Sequence, residues 1–157
     1  MPDTPPWNQP GVNDPLAKKA LLTLRIIWAA LLMGQLMFLG IILSGVLQQQ
    51  FGQPRPVLTW TCFIMAAVII PVTYVIRTFM FQKAETPQGL PAGTYASGSI
   101  IFWAGCEGMS FFGLVVAMVN ASLWPTIMVV VIAMGLQVLT FPVAGRLDMS
   151  GETPRQP

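Results

Sequence analysis

The most distinctive reactive group in this sequence is the carboxyl group of Glu107, which lies in a segment otherwise apolar enough to span a bilayer. An ionisable side chain near the middle of a membrane costs ~2.5 to 3.5 kcal/mol on insertion scales, so it usually persists for a function. In hydrocarbon this carboxyl group is expected to hold a proton unless neighbouring groups stabilise its charge. Glu107 is therefore a candidate site for binding a proton or a cation.

Three other polar side chains are predicted to lie near the depth of Glu107. At 1.5 Å per residue, Glu107 lies ~4 Å, Gln35 ~2 Å and Gln137 ~6 Å from the centres of their spans, all toward the same membrane face. Ser110 follows Glu107 by three residues and shares its helix face. Because a carboxamide can donate to an ionised carboxylate or accept from a neutral one, these side chains form a predicted polar layer around Glu107.

Four apolar segments must position this layer. The chain has 157 residues, of which 54% are hydrophobic and 9% are charged, whereas a soluble domain carries roughly 25% charged residues. This composition excludes an ordinary soluble domain. It predicts an all-α, polytopic membrane protein whose domain covers 16–144, with four transmembrane helices at about 26–47, 57–76, 100–119 and 123–143. Each predicted span is close to the ~20 residues that cross the hydrocarbon core.

Proline and glycine mark the ends of these segments. Residues 1–15 contain five prolines, which predicts a disordered Pro-rich tail, and 145–157 is predicted to be a disordered cytoplasmic tail. The polar segment 82–97 is predicted to be a loop. Pro71 is expected within the second helix, which membrane helices tolerate, and Pro125 in the first turn of the fourth.

The distribution of positive charge predicts the orientation. Short loops rich in Lys and Arg stay in the cytoplasm. Only Arg55 lies on one side of the predicted spans, and seven basic residues lie on the other: Lys18, Lys19, Arg25, Arg77, Lys83, Arg146 and Arg155. Both termini are therefore predicted to be cytoplasmic. The partner implied by the composition is the lipid bilayer, and a net charge of +2 gives no reason to expect nucleic acid.

Small residues predict where helices pack. Ala104 with Gly108, and Gly113 with Ala117, are pairs four residues apart that allow two helix backbones to approach closely. These faces also suggest association with a second copy of the chain or with another membrane protein.

Several classes of chemistry lack the residues that they need. The sequence has no His, and its two cysteines, Cys62 and Cys106, lie inside predicted spans. Neither a metal site nor a disulfide framework is expected, and no cofactor is implied. No nucleophile with a nearby base is recognisable, so the chain is predicted not to be an enzyme.

The third span carries a local family likeness. Ala104-x-x-Glu107 followed by Phe112-Gly113-Leu114-Val115-Val116-Ala117 resembles the carboxylate helix of the c-type proteolipid subunits of rotary ATP synthases. This resemblance implies that Glu107 is an ion-carrying carboxylate. The whole chain also resembles small, uncharacterised four-helix bacterial membrane proteins with a Glu-Gly pair in the third helix. That likeness implies an architecture, with multiple passes through a bacterial inner membrane, and no activity.

Two functional hypotheses remain open at this point. In the first, the protein is an integral membrane protein with a buried, titratable Glu107 that binds a proton or cation. In the second, it is a non-transporting scaffold or interaction subunit, and Glu107 is a packing contact. Polar side chains between membrane helices often serve only to hold them together, at ~0.6 kcal/mol per hydrogen bond.

Overall fold

The computed structural model describes residues 15–46, 55–85, 90–120 and 122–143. Within these ranges the chain is all-helical, which confirms the all-α part of the predicted fold class. The four helices are α1 (Pro15–Val46), α2 (Pro56–Ala84), α3 (Ala92–Val119) and α4 (Ile127–Leu139). The tails predicted to be disordered lie outside the described residues, except for Pro15, which is the first residue of α1.

Three of the four helices are long and apolar enough to cross a membrane. They are α1, α2 and α3, with 32, 29 and 28 residues, compared with the ~20 that a span requires. The chain is therefore a membrane protein by length and composition of its helices. Helix α4 has 13 residues and a length of ~20 Å, so only part of the predicted fourth span is helical.

Local sequence explains why α4 is short. Trp124 to Thr126 form a turn before the helix instead of its first turn, so Pro125 precedes α4. At the other end, the Thr140 hydroxyl donates to the backbone carbonyl of Leu136 at 2.9 Å, a local bond that competes with helix continuation. Pro142 follows two residues later, and a proline disfavours helical geometry in the residue before it.

The second and third helices are longer than their predicted apolar spans. Helix α2 continues through Pro71 and ends at Ala84, and α3 already begins at Ala92. Most described residues of the predicted loop 82–97 are consequently helical. Apolar composition indicates only the part of a helix that can lie in hydrocarbon. Backbone hydrogen bonding can continue the helix beyond that part into polar sequence.

Helix α3 is the centre of the bundle. In its most apolar 18-residue stretch 50% of the residues are buried, compared with 11% in α1 and in α2. All three buried clusters include α3 residues: Trp103 and Cys106 in the first, Met109 and Val116 in the second, and Leu114 in the third. The other helices therefore pack mainly around α3.

Specific contacts define the helix directions. A Cβ atom placed on Gly98 would lie 2.7 Å from Phe81 Cε1, and one on Gly105 would lie 2.7 Å from Thr73 Cγ2. From Gly98 to Gly105 the residue number in α3 rises, whereas that of the contacting α2 residue falls from Phe81 to Thr73. The two helices are therefore antiparallel. Glycine at both positions lets α2 and α3 approach each other closely.

Replacing Gly105 by alanine is expected to destabilise the protein by about 1 to 3 kcal/mol, the usual range for overpacking. Thr73 has little freedom to move, because its hydroxyl donates to the carbonyls of Ile69 and Ile70. Unfolding of the purified protein by SDS in mixed micelles measures the effect.

Gly108→Ala is the matched control, since a Cβ there has no atom within 4 Å. It should leave the free energy of unfolding nearly unchanged. Thr73→Ala combined with Gly105→Ala should recover part of the lost stability. Equal stabilities of the two glycine variants would contradict the close α2–α3 contact.

Candidate intramembrane polar site

Gln35 of α1 and Gln137 of α4 form a hydrogen bond in the interior of the bundle. Gln35 Nε2 donates to Gln137 Oε1 at 2.6 Å, and both side chains are fully buried. Trp28 Nε1 donates to the backbone carbonyl of Gln137 at 2.8 Å. The structure thus brings together two of the predicted polar residues and joins α1 to α4 through them.

This interior layer retains unused hydrogen-bonding capacity. Among the described residues, Gln35 Oε1, Gln137 Nε2 and Ser110 Oγ are buried without a hydrogen-bond partner. Ser110 is itself fully buried, on the inward-facing side of α3. Buried donors and acceptors left in this state cost free energy.

Glu107 lies at the edge of the bundle instead of its interior. Its side chain is half-buried, and the described residues contain no buried glutamate, in contrast to the prediction. The neighbours Cys106 and Ser110 face inward and are buried, whereas Ala104 and Gly108 are exposed. Glu107 falls between these two faces because successive helix residues are 100° apart.

The position of Glu107 along α3 is central. It lies about one and a half residues past the midpoint of Ala92–Val119, or ~2 Å along the helix axis. Within the described ranges its carboxyl group has no hydrogen-bonding or ionic partner. The Gln35–Gln137 bond does not include it, so the predicted layer is divided between the interior and the surface of the bundle.

A shallow apolar groove lies on a neighbouring face of α3 at the level of Glu107. It has a volume of about 320 Å³ and lies between α2 and α3, with Met65, Ile69, Ala104, Gly108 and Phe112 among its walls. One turn after Glu107, Phe111 packs edge-to-face on Phe38 of α1 at 5.3 Å between ring centroids. Glu107 itself does not line the groove, and Phe111, which follows it by one turn on the same face of α3, contacts α1.

The predicted small-residue pairs have different environments. Gly113 and Ala117 are buried, and a Cβ on Gly113 would lie 3.1 Å from Val130 Cγ2 of α4. Ala104 and Gly108 instead line the open groove. Sequence reasoning missed the tight contacts of Gly98 and Gly105, whose signal was a spacing of seven residues, or two helical turns.

Arg77 is a second position that sequence reasoning did not identify. It directly follows the predicted span 57–76, and its side chain is only 8% exposed. The guanidinium carbon lies 5.1 Å from the ring centroid of Phe81 and 5.5 Å from that of Phe102. These cation–π contacts stabilise a charge between α2 and α3. The available signal was Phe81, one turn after Arg77 on the same face.

Metal-ligating and redox chemistry have few residues to use here. Within the described ranges, no three His, Cys, Asp or Glu side chains come together. Cys62 and Cys106 are buried thiols in different clusters.

Comparisons with known proteins give no relative from which a function could be transferred. No protein-family model, curated protein or solved structure matches this chain.

The Gln35–Gln137 hydrogen bond is expected to couple the two residues energetically. In a double-mutant cycle with Gln35→Leu and Gln137→Leu, the coupling should be ~0.6 kcal/mol and at most ~1.7 kcal/mol, as for other interhelical bonds in membranes. Trp28 still bonds to the backbone carbonyl of residue 137 in both variants. SDS unfolding of the four proteins measures the coupling.

Glu107→Gln provides the control for this cycle. Since Glu107 lies outside the interior pair, its replacement should leave the coupling energy unchanged. Strictly additive effects of the two leucine substitutions would show that the pair makes no net contribution.

Proposed function

We propose that this protein is a proton-binding integral membrane protein, and not an enzyme, in which Glu107 takes up and releases the proton. The observation that supports this most directly is the position of Glu107 at the middle of α3 and at the edge of the bundle. A carboxyl group that served as internal packing would be expected to bond to an interior partner. The interior amides of Gln35 and Gln137 bond to each other instead.

The surroundings favour a proton over a metal cation. A cation such as Na⁺ or Ca²⁺ would need several oxygen ligands around it. Glu107 would contribute the carboxylate, but the nearest predicted oxygen ligands belong to a buried amide pair and to the inward-facing Ser110. Protonation requires no such shell, and the neutral carboxyl group removes the large cost of a charge in hydrocarbon.

Two sequence-based inferences complete this proposal. The likeness of α3 to the carboxylate helix of c-type proteolipid subunits implies the same ion-carrying role for Glu107. The excess of Lys and Arg on one side of the spans supports cytoplasmic termini. We also propose that the protein passes several times through the cell membrane, specifically a bacterial inner membrane.

Labelling with a hydrophobic carbodiimide tests this function. The reagent reacts with protonated carboxyl groups in membranes, so the extent of Glu107 labelling should rise as the pH is lowered across roughly pH 5 to 9. Mass spectrometry of native membranes locates and quantifies the adduct. Glu107→Gln should abolish it.

Glu85 is the internal control in the same experiment, because it is an exposed glutamate just after the end of α2. Glu85 lies beyond the end of α2, away from the middle of the helices, so the hydrophobic reagent should label it much less than Glu107. If Glu107 is labelled no more than Glu85 at every pH, the proposed proton exchange is wrong.

A second candidate is an interaction subunit in which Glu107 and the groove contact another membrane helix. The specific observation in its favour is the open face of α3, where Ala104 and Gly108 expose backbone beside the groove. Small residues at such a face let another helix approach closely. A second copy of the chain is the simplest partner, since most oligomers of one chain are symmetric.

Cysteine cross-linking distinguishes this candidate. With a second copy on the α3 groove, Gly108→Cys should give disulfide-linked dimers in native membranes, because the two positions would lie near the symmetry axis. Gly40→Cys is the matched control, a glycine on an exposed face of α1 with no atom within 4 Å of its Cβ position. Equal cross-linking of both variants, or none in either, would contradict an interface at the groove.

A further inference from the structure

A second cleft lies at the end of the bundle where α2 begins and α3 ends. Its volume is about 460 Å³, which is within the range of small-molecule sites. The walls used in the following argument are Thr59, Trp60, Phe63, Asn120, Trp124 and Pro125. It contains none of the residues of the Glu107 site.

Hydrogen bonds of the Asn120 side chain fix one wall of the cleft. This side chain is 6% exposed, and its Nδ2 donates to Thr59 Oγ1 at 3.0 Å. Its Oδ1 accepts from the backbone N–H of Arg55, also at 3.0 Å. The Ser122 hydroxyl donates to the carbonyl of Trp124 at 2.9 Å. The hydrogen bonds of Asn120 thereby link the start of α2 to the end of α3 without a ligand.

The walls of the cleft are aromatic and exposed at their edges. Trp60 and Trp124 are each 67% exposed, although both border the cleft together with the partly buried Phe63. Tryptophan is enriched where a membrane protein meets the headgroup region, since its ring is apolar and its N–H is polar. A ligand between these rings would contact apolar surface and remain near water.

Arg55 supplies a positive charge next to the cleft, because it directly precedes the wall residue Pro56 in the chain. Its backbone is bonded to the wall residue Asn120, and its side chain is exposed. Among the described residues at this end of the bundle, no other side chain is charged. The guanidinium group binds phosphate oxygens through two parallel hydrogen bonds.

We propose that this cleft binds one anionic phospholipid, with its phosphate on Arg55 and the upper part of an acyl chain between Trp60 and Trp124. The charge of Arg55 complements the headgroup, and the apolar walls complement the chain. The cleft opens at the helix ends, where the headgroups of the surrounding bilayer lie. This site does not depend on proton binding at Glu107.

Native mass spectrometry of the full-length protein in mild detergent tests the site. Phosphatidylglycerol and phosphatidylcholine with identical acyl chains are titrated separately, and the fraction of protein retaining one lipid is measured. Phosphatidylglycerol should be retained about fivefold better, the factor that corresponds to ~1 kcal/mol for one basic residue at an anionic surface.

Arg55→Gln should remove this preference. The side chain of Arg55 makes no capping bond to α2, so the variant is expected to fold. Lys83→Gln is the matched control, because Lys83 is an exposed basic residue at the opposite end of α2. It should retain the wild-type preference, and the Glu107→Gln variant should do the same.

Trp60→Ala with Trp124→Ala should reduce retention of both lipids, since it removes the walls and not the charge. Equal lipid preferences of the Arg55→Gln and Lys83→Gln proteins would overturn the proposal and indicate nonspecific annular lipid. A lipid-free dimer that protects both tryptophans would also overturn it, because a second copy would then occupy the cleft.

Discussion

The close packing of α3 against its neighbours is the constraint on which the rest of the structure depends. Gly98 and Gly105 allow Phe81 and Thr73 of α2 to approach the α3 backbone, and Gly113 does the same for Val130 of α4. These contacts determine how α3 is rotated about its axis. The rotation in turn decides which α3 side chains enter the interior and which face the membrane.

The polar side chains of the bundle are divided as a result of that rotation. Ser110 is turned inward, and Gln35 and Gln137 meet each other in the interior. Glu107 is only three residues from Ser110, yet it reaches the edge of the bundle. A hydrogen-bonded amide pair is neutral and can be buried at modest cost, whereas an ionised carboxylate in the interior would cost far more.

The two ends of the bundle use their cations differently. Arg77 is buried between Phe81 and Phe102, where aromatic faces compensate for lost hydration. Arg55 is exposed at the opposite end of α2, and only its backbone is bonded to the rest of the bundle. The first arrangement stabilises the contact between α2 and α3. The second leaves a guanidinium group available to an anionic ligand beside exposed tryptophan rings.

The sequence by itself determined the helical class and three of the four predicted membrane helices, because hydrocarbon accepts only apolar segments with internally satisfied backbones. It also indicated the candidate polar residues. Depth along a helix also follows from residue count, and Gln35 and Gln137 do lie close enough to bond. Apolar composition could not predict that α4 would be short, since Thr140 and Pro142 act through local backbone geometry. Only the tertiary structure decided that Glu107 lies at the edge and Arg77 in the interior. Those positions depend on helix rotation, which is set by close contacts between glycines and side chains distant in sequence.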